Sequence, residues 1–231
     1  MPSAGDLARD ESADTEAHWV RWHRAYEDPD SPLSVRLRLV QAAVRAALDR
    51  QPPGPVRVIS MCAGQGRDVI DAVATHRRAG DVRALLVELD PTLVAFAHDR
   101  AATAGLGDRI GVVRGDAASA GLYADLVPAH LVLVCGVFGN ISEDDIAGTV
   151  AALPTFCAPG ATVIWTRHRR PPDDTPMVRA LFARAGFEEV SFEAPESYVL
   201  AVGCHRLVVP PLPFDPGLHL FDFTGDGRSP A

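Results

Sequence analysis

Short apolar runs separated by amphipathic stretches organise the chain from residue 56 onward. Residues 56–60 (VRVIS), 84–88 (ALLVE), 110–114 (IGVVR), 131–135 (LVLVC) and 161–165 (ATVIW) are aliphatic, β-branched runs bounded by glycine, proline or charge, and they read as five strands. Apolar positions at helical spacing fill the gaps, over about 67–78, 91–104, 143 onward and about 175–185. This alternation predicts a parallel sheet covered by helices on both faces. Past Gly186 the pattern changes. Residues 187–194 (FEEVSFEA) and 198–206 (YVLAVGCHR) are two strands with no helix between them, so they should form an antiparallel hairpin at a sheet edge.

The flanks read differently. Residues 1–14 are small, acidic and aperiodic, the composition of a disordered tail. Trp19, Trp22 and Tyr26 are spaced i, i+3, i+7, on one helix face, with His23 beside them. Ser31 can cap a helix that opens on Pro32 and carries Leu37, Val40, Val44 and Leu48. The expected organisation is therefore a tail (1–14), a helical lid (15–52), an α/β domain (53–208) and an extended C-terminal tail (209–231). The lid could equally be a helix packed permanently on the domain.

Charge and composition narrow the chemistry. The chain has 30 acidic and 22 basic residues, a net charge of −8, which disfavours a nucleic-acid partner. All 22 basic residues are arginine, so a lysine Schiff base and a P-loop lysine are both excluded. The cysteines form no CxxC pair, and no metal site is expected. The longest apolar run, 131–138, is far below the roughly 18 residues of a membrane span. With a polar, acidic N-terminus, these features lead to the expectation of a soluble cytoplasmic protein without a membrane partner. Nothing in the sequence sets its oligomeric state.

In an open α/β sheet the ligand sits beyond the carboxyl ends of the strands, where strand order reverses. Three features fall on that edge in order. Gly64 and Gly66 permit a tight turn into a helix N-terminus. Glu88 ends the second strand, where a carboxylate can accept both hydroxyls of a ribose. Asp116 follows the third, placed to meet a base. Each alone is weak, since a strand-end carboxylate is often just solvated. Together they point to a nucleoside. A dinucleotide is disfavoured, because the third small residue of G-x-G-x-x-G/A is Val69 here.

These residues carry a resemblance. The stretches VRVISMCAGQGRDV, LLVELDP, VRGDAAS, HLVLVCGVFGN, LFARAGFEEVSF and YVLAVGCHR, in that order, resemble the class I S-adenosylmethionine-dependent methyltransferases over roughly residues 36–206. The resemblance implies a doubly wound, seven-stranded Rossmann-like sheet with a reversed last strand. It also implies S-adenosylmethionine as cofactor. By position it puts Cys62, Ala63, Gly64 and Gly66 along the cofactor's methionine and ribose, Glu88 on the ribose hydroxyls, and Leu89 over the adenine. Asp116 and Ala117 would meet the adenine, and Cys135 and Gly136 would close the site. Two positions depart from the pattern. Ser60 stands where the family usually has an acid that helps to hold the cofactor's ammonium, a role Asp68 could take. Cys62 stands where the family has glycine.

Methyl transfer needs an aligned acceptor and, for some acceptors, a base. His168 and His23 are the candidate bases, each with a structural alternative. Asn140 is a candidate hydrogen-bond partner for the acceptor, or a turn residue. Trp19, Trp22, Tyr26, Phe138 and Arg167 are the candidate acceptor contacts. The Arg167–Arg170 run would suit a small anionic acceptor, or is a solvated charged loop. Ser60 and Cys62 keep a second reading open: a related scaffold that no longer methylates, serving as a lyase, a cyclase or a non-catalytic subunit.

Overall fold

The structure is a computed structural model that describes Tyr26 and residues 28–224. Trp19, Trp22 and His23, and the tail 1–14, lie outside the described residues. The first helix, α1 (Pro32–Arg50), starts as its sequence dictates. Ser31 Oγ accepts from Ser34 N at 3.1 Å, and Pro32 occupies the first turn. Asp90 plays the same part for the helix Pro91–Thr103, accepting from the backbone of Thr92 and Leu93 ahead of Pro91.

The strands are β1 (Val56–Met61), β2 (Val82–Glu88), β3 (Ile110–Arg114), β4 (Ala129–Val134), β5 (Cys157–His168), β6 (Phe187–Glu193) and β7 (Leu200–Leu207). They form one sheet in the order β3-β2-β1-β4-β5-β7-β6. The first five are parallel, and β7 runs antiparallel to both β5 and β6. The C-terminal hairpin is thus present, with its second strand inserted between β5 and β6. Strand order reverses between β1 and β4, and in open α/β sheets ligands bind beyond the carboxyl ends of the strands at such a reversal.

Alternation along the strands divides the core into two layers. Val58, Leu86, Leu131, Leu133 and Ile164 pack under α1, α2 (Arg67–Ala74) and α3 (Pro91–Thr103). Ile59, Met61, Val132, Val134, Val163 and Trp165 pack under α4 (Glu143–Phe156) and α5 (Thr175–Arg184). Val40, Val44 and Leu48 of α1 are fully buried, each contributing about 1.5–3 kcal/mol. So α1 is an integral layer of the domain, and a boundary at residue 52 cuts through one packed unit.

The C-terminal segment also departs from expectation. Residues 209–224 lack helix or strand, but Leu220 and Phe221 are buried beside α4, where Thr149 Oγ1 donates to the Leu220 carbonyl at 2.9 Å. Isolated bridges tie Ser119 to His219 and Ile141 to Phe223. The segment is a strap over the loops that follow β3 and β4.

An aromatic cluster joins β5, β7 and α5. Trp165 stacks on Phe182, and Phe182 on His205 with ring centroids 4.4 Å apart. A Cβ on Gly203 would run into the Trp165 indole, so glycine there makes room for the ring. Trp165 Nε1 donates to His205 Nδ1 at 3.2 Å. That bond requires His205 to be neutral at Nδ1, and burial pushes the imidazole down to about 4.

A histidine depressed in the folded state binds fewer protons than in the unfolded chain, so its stability contribution is complete above about pH 6.5 and is lost as pH falls toward 4. Chemical denaturation of the wild type across that window should show a loss of about 3 kcal/mol from this group. The loss should shrink in His205→Gln. An identical pH dependence in both proteins would contradict the burial account.

Candidate functional site

The loop after β1 makes a tight left-handed passage. Cys62, Gly64 and Gly66 have φ of 51°, 55° and 68°. Gly66 is the N-cap of α2, and a Cβ there would stand 2.6 Å from Ile70 Cδ1 and 2.8 Å from Leu86 Cδ2. Only glycine lets this helix start so close to β2. Cys62 holds the same kind of backbone with a side chain, at a cost of about 1–2 kcal/mol. Its thiol is pushed well up, first by burial and then by Glu88 and Asp116, which makes it a poor nucleophile.

Glu88 fastens this loop. Its Oε2 accepts from Gly64 N at 2.8 Å, and its Oε1 accepts from Leu89 N at 2.8 Å and Asp90 N at 3.0 Å. Burial raises its pKa, and the three N–H groups oppose the rise. An ionised carboxylate offers about four acceptor positions, so one remains on Oε2. Leu89 beside it is 63% exposed, an uncovered apolar side chain just past the carboxyl end of β2. Asp116 is exposed; Oδ1 accepts from Ala118 N at 3.0 Å, and Oδ2 lies 3.8 Å from His219 of the strap. Ala117 is buried, and its carbonyl accepts from Tyr123. Ala63 is tied back to β2 through Val87 O at 2.9 Å.

On the other side of the reversal, Ser60 is buried within β1. Asp68, in the first turn of α2, is pushed up by burial, drawn back by Arg36 and hydrogen-bonded to Cys135. Asp68 thus puts a carboxylate beside Cys135, just past the end of β4. Arg36 also donates to Tyr26 Oη at 3.4 Å, and the Arg67 guanidinium covers the Tyr26 ring at 4.9 Å. Gly136, at φ 75°, donates to Thr166 Oγ1 at 2.9 Å, and nothing stands within 4 Å of where its Cβ would be.

Arg36, Gly136, Asn140, Thr166, Arg167 and His168 line a small cleft here. A larger, shallow groove between α2 and α3, about 440 Å³, lies away from the strand ends, and its Arg100 is already paired with Asp71. Sequence reasoning missed Arg36 and Thr166. Arg36 is one of several arginines along α1, and nothing in its spacing distinguishes it.

One expectation needs correction, and two alternatives are resolved. Phe138 is fully buried against Trp165 and Phe182, so it supports the loop from beneath and does not face the cleft. Asn140 donates one side-chain N–H to Gly136 O at 2.7 Å and so staples its own turn, the turn role open to it from the sequence. Arg167 is no solvated end of a charge run: its side chain is 9% exposed and ion-paired to Asp174. His168 does lie in the cleft beside Gly139. Its pKa is lowered by burial and by Arg167 and Arg170, so the ring is neutral near pH 7.

Residues 33–190 match the model of a family described as "Putative methyltransferase", and the chain belongs to that family. A curated relative, the uncharacterized protein YnbC of Escherichia coli (strain K12), is 30% identical over 113 residues; the match covers 48% of this chain and 19% of that protein. The chain therefore spans about a fifth of the relative's length.

Solved structures share the fold at low identity. The 1,6-didemethyltoxoflavin-N1-methyltransferase of Burkholderia thailandensis, solved with its substrate and S-adenosylhomocysteine, superposes with a TM-score of 0.63 at 16% identity, covering 90% of this chain and 92% of that one. An RNA methyltransferase of Salinibacter ruber with S-adenosylhomocysteine gives 0.51 at 22% identity, covering 77% and 95%. The [4+2]-cyclase SpnF gives 0.56 at 15% identity, covering 78% and 82%.

The strained Cys62 backbone yields a direct test. Cys62→Ala and Cys62→Gly both remove the thiol, but only glycine relieves the left-handed strain. Thermal or chemical denaturation should find the glycine variant more stable by about 1 kcal/mol. Equal stabilities would mean that the loop relaxes away from this conformation.

Proposed function

We propose that the chain binds S-adenosylmethionine across the reversal between β1 and β4 and transfers its methyl group to a small organic acceptor. The observation that carries this reading is the convergence of the Cys62–Gly66 passage, Glu88 and Asp116 on one edge of the sheet, in a member of a methyltransferase family.

The residues fit the cofactor. The remaining acceptor position on Glu88 Oε2 suits a ribose hydroxyl, and Asp116 Oδ2 suits an exocyclic amine. Leu89 offers its exposed side chain to the base. Gly136 leaves the backbone of the β4 end open to close approach. Asp68 is the carboxylate for the ammonium in place of the missing acid at Ser60, with Cys62, Ala63 and Cys135 lining the same wall. When bound, the sulfonium supplies an electrophilic methyl group.

The chain's part is to hold an acceptor in line with that methyl group and to exclude water, which can be worth about 7–11 kcal/mol in well-oriented systems. Neutral His168 is placed to take a proton from an acceptor that must lose one. The net charge of −8 argues against a polynucleotide acceptor. Among the described residues no helix is long and apolar enough to cross a membrane. The same reading puts the enzyme in the cytoplasm, where its thiols stay reduced.

Ser60 and the strained Cys62 support a second reading, a scaffold that binds the cofactor without methylating. Mass spectrometry separates the two: incubation with S-adenosylmethionine and a panel of small acceptors releases S-adenosylhomocysteine and a methylated product only under the first reading.

Calorimetric titration should show S-adenosylmethionine and S-adenosylhomocysteine binding, and no binding of NADH. Glu88→Gln should weaken the cofactor by about 1.5–3 kcal/mol, since a charged acceptor shared with the loop is lost. Tight NADH binding without sulfonium binding would overturn the reading.

A further inference from the structure

Arg167 extends from the end of β5 and is more than nine-tenths buried. Its Nη2 is held by Asp174, at the N-cap of α5. Its Nε and both hydrogens of Nη1 are enclosed and have no hydrogen-bond partner among the described residues. A buried guanidinium with open donors is costly unless something accepts from them. His168 Nδ1, next in sequence, is enclosed and unpartnered in the same way. Both side chains line the cleft, together with Arg36 of α1.

We infer that this cleft is a carboxylate-binding subsite of the acceptor, with Arg167 as its anchor and Arg36 as a second cation in its lining. This rests on the methyl-transfer reading and names the class of substrate that the site takes. The open donors of Arg167 are matched by acceptor oxygens, and a guanidinium fork suits a planar carboxylate. The local field supports an anion: at His168 the influence of Arg167 and Arg170 outweighs that of Asp174 and Asp173. The same two aspartates, with Asp68 beside Arg36, oppose a second negative charge, which favours a monoanion over a phosphate dianion. Size agrees. The cleft is small, about 30 Å³, which suits a compact head group. The body of the acceptor then lies outside it.

Asp174 is a positioning residue. It holds the guanidinium of a side chain that lines the cleft and so limits the rotamers Arg167 can search.

The test uses the full chain with benzoate, its neutral isostere benzamide and inorganic phosphate as probes, with and without S-adenosylhomocysteine. Nitrogen-15 NMR follows the Arg167 Nε–H resonance and the histidine side chains. Saturable benzoate binding that shifts Arg167 Nε–H is expected, at least tenfold tighter than benzamide or phosphate. Arg167→Lys keeps the charge and loses the fork; it should weaken benzoate at least tenfold and leave S-adenosylhomocysteine affinity unchanged. Equal affinity for benzoate and benzamide in the wild type would overturn the subsite, and that comparison needs no variant to fold. Phosphate binding more tightly than benzoate would overturn the choice of a carboxylate. Failure of S-adenosylhomocysteine to bind would strike the methyl-transfer reading, whatever benzoate does.

Discussion

The Glu88 carboxylate holds the site together. One side chain accepts backbone hydrogen bonds from the loop after β1 and from the first two residues after β2. It thereby fixes the separation of two parallel strands at the end where strand order reverses. A carboxylate this enclosed would rather be protonated, and burial does raise its pKa. The three N–H groups keep the charged form tenable. The left-handed passage from Cys62 to Gly66, the close start of α2 and the exposed position of Leu89 all follow from that anchoring.

Beyond the reversal, the β4 and β5 ends are organised by polar contacts of a different kind. Thr166 takes the Gly136 amide, Asn140 takes the Gly136 carbonyl, and the backbone of Asn140 in turn receives Thr224 of the strap. The strap therefore touches both halves of the edge, reaching Asp116 through His219 and the Asn140 turn through Thr224. An aromatic cluster around Trp165 and Phe182 lies beneath, and Phe138 belongs to it. This gives a stiff floor on which Arg167 and His168 project into the cleft.

Much of the fold was legible because its signals are local. Ser31 before Pro32 and Asp90 before Pro91 start helices through capping bonds that the chain makes with itself. The aliphatic strands and the hairpin after Gly186 were readable by the same token. The site's wiring was not. Glu88 could be recognised as a strand-end acid, but not as the staple of Gly64, since that contact joins residues far apart in sequence. Arg36 enters the cleft only because α1 packs across the sheet, and one arginine among several on a helix carries no mark of that. Phe138 was misjudged for a simple reason. A residue just past a strand end can point to solvent, to the crevice or back into the core, and periodicity does not choose among the three. The strap was missed because proline- and glycine-rich segments dock through a few side chains, here Leu220 and Phe221, without any repeating pattern.

The most direct test of the account is the location of the cofactor. In a nitrogen-15 NMR titration of the full chain with S-adenosylhomocysteine, the largest backbone shifts should fall at Gly64, Leu89, Asp116 and Gly136, on both sides of the reversal between β1 and β4. Shifts confined to the groove between α2 and α3, around Phe96 and Arg100, would contradict it.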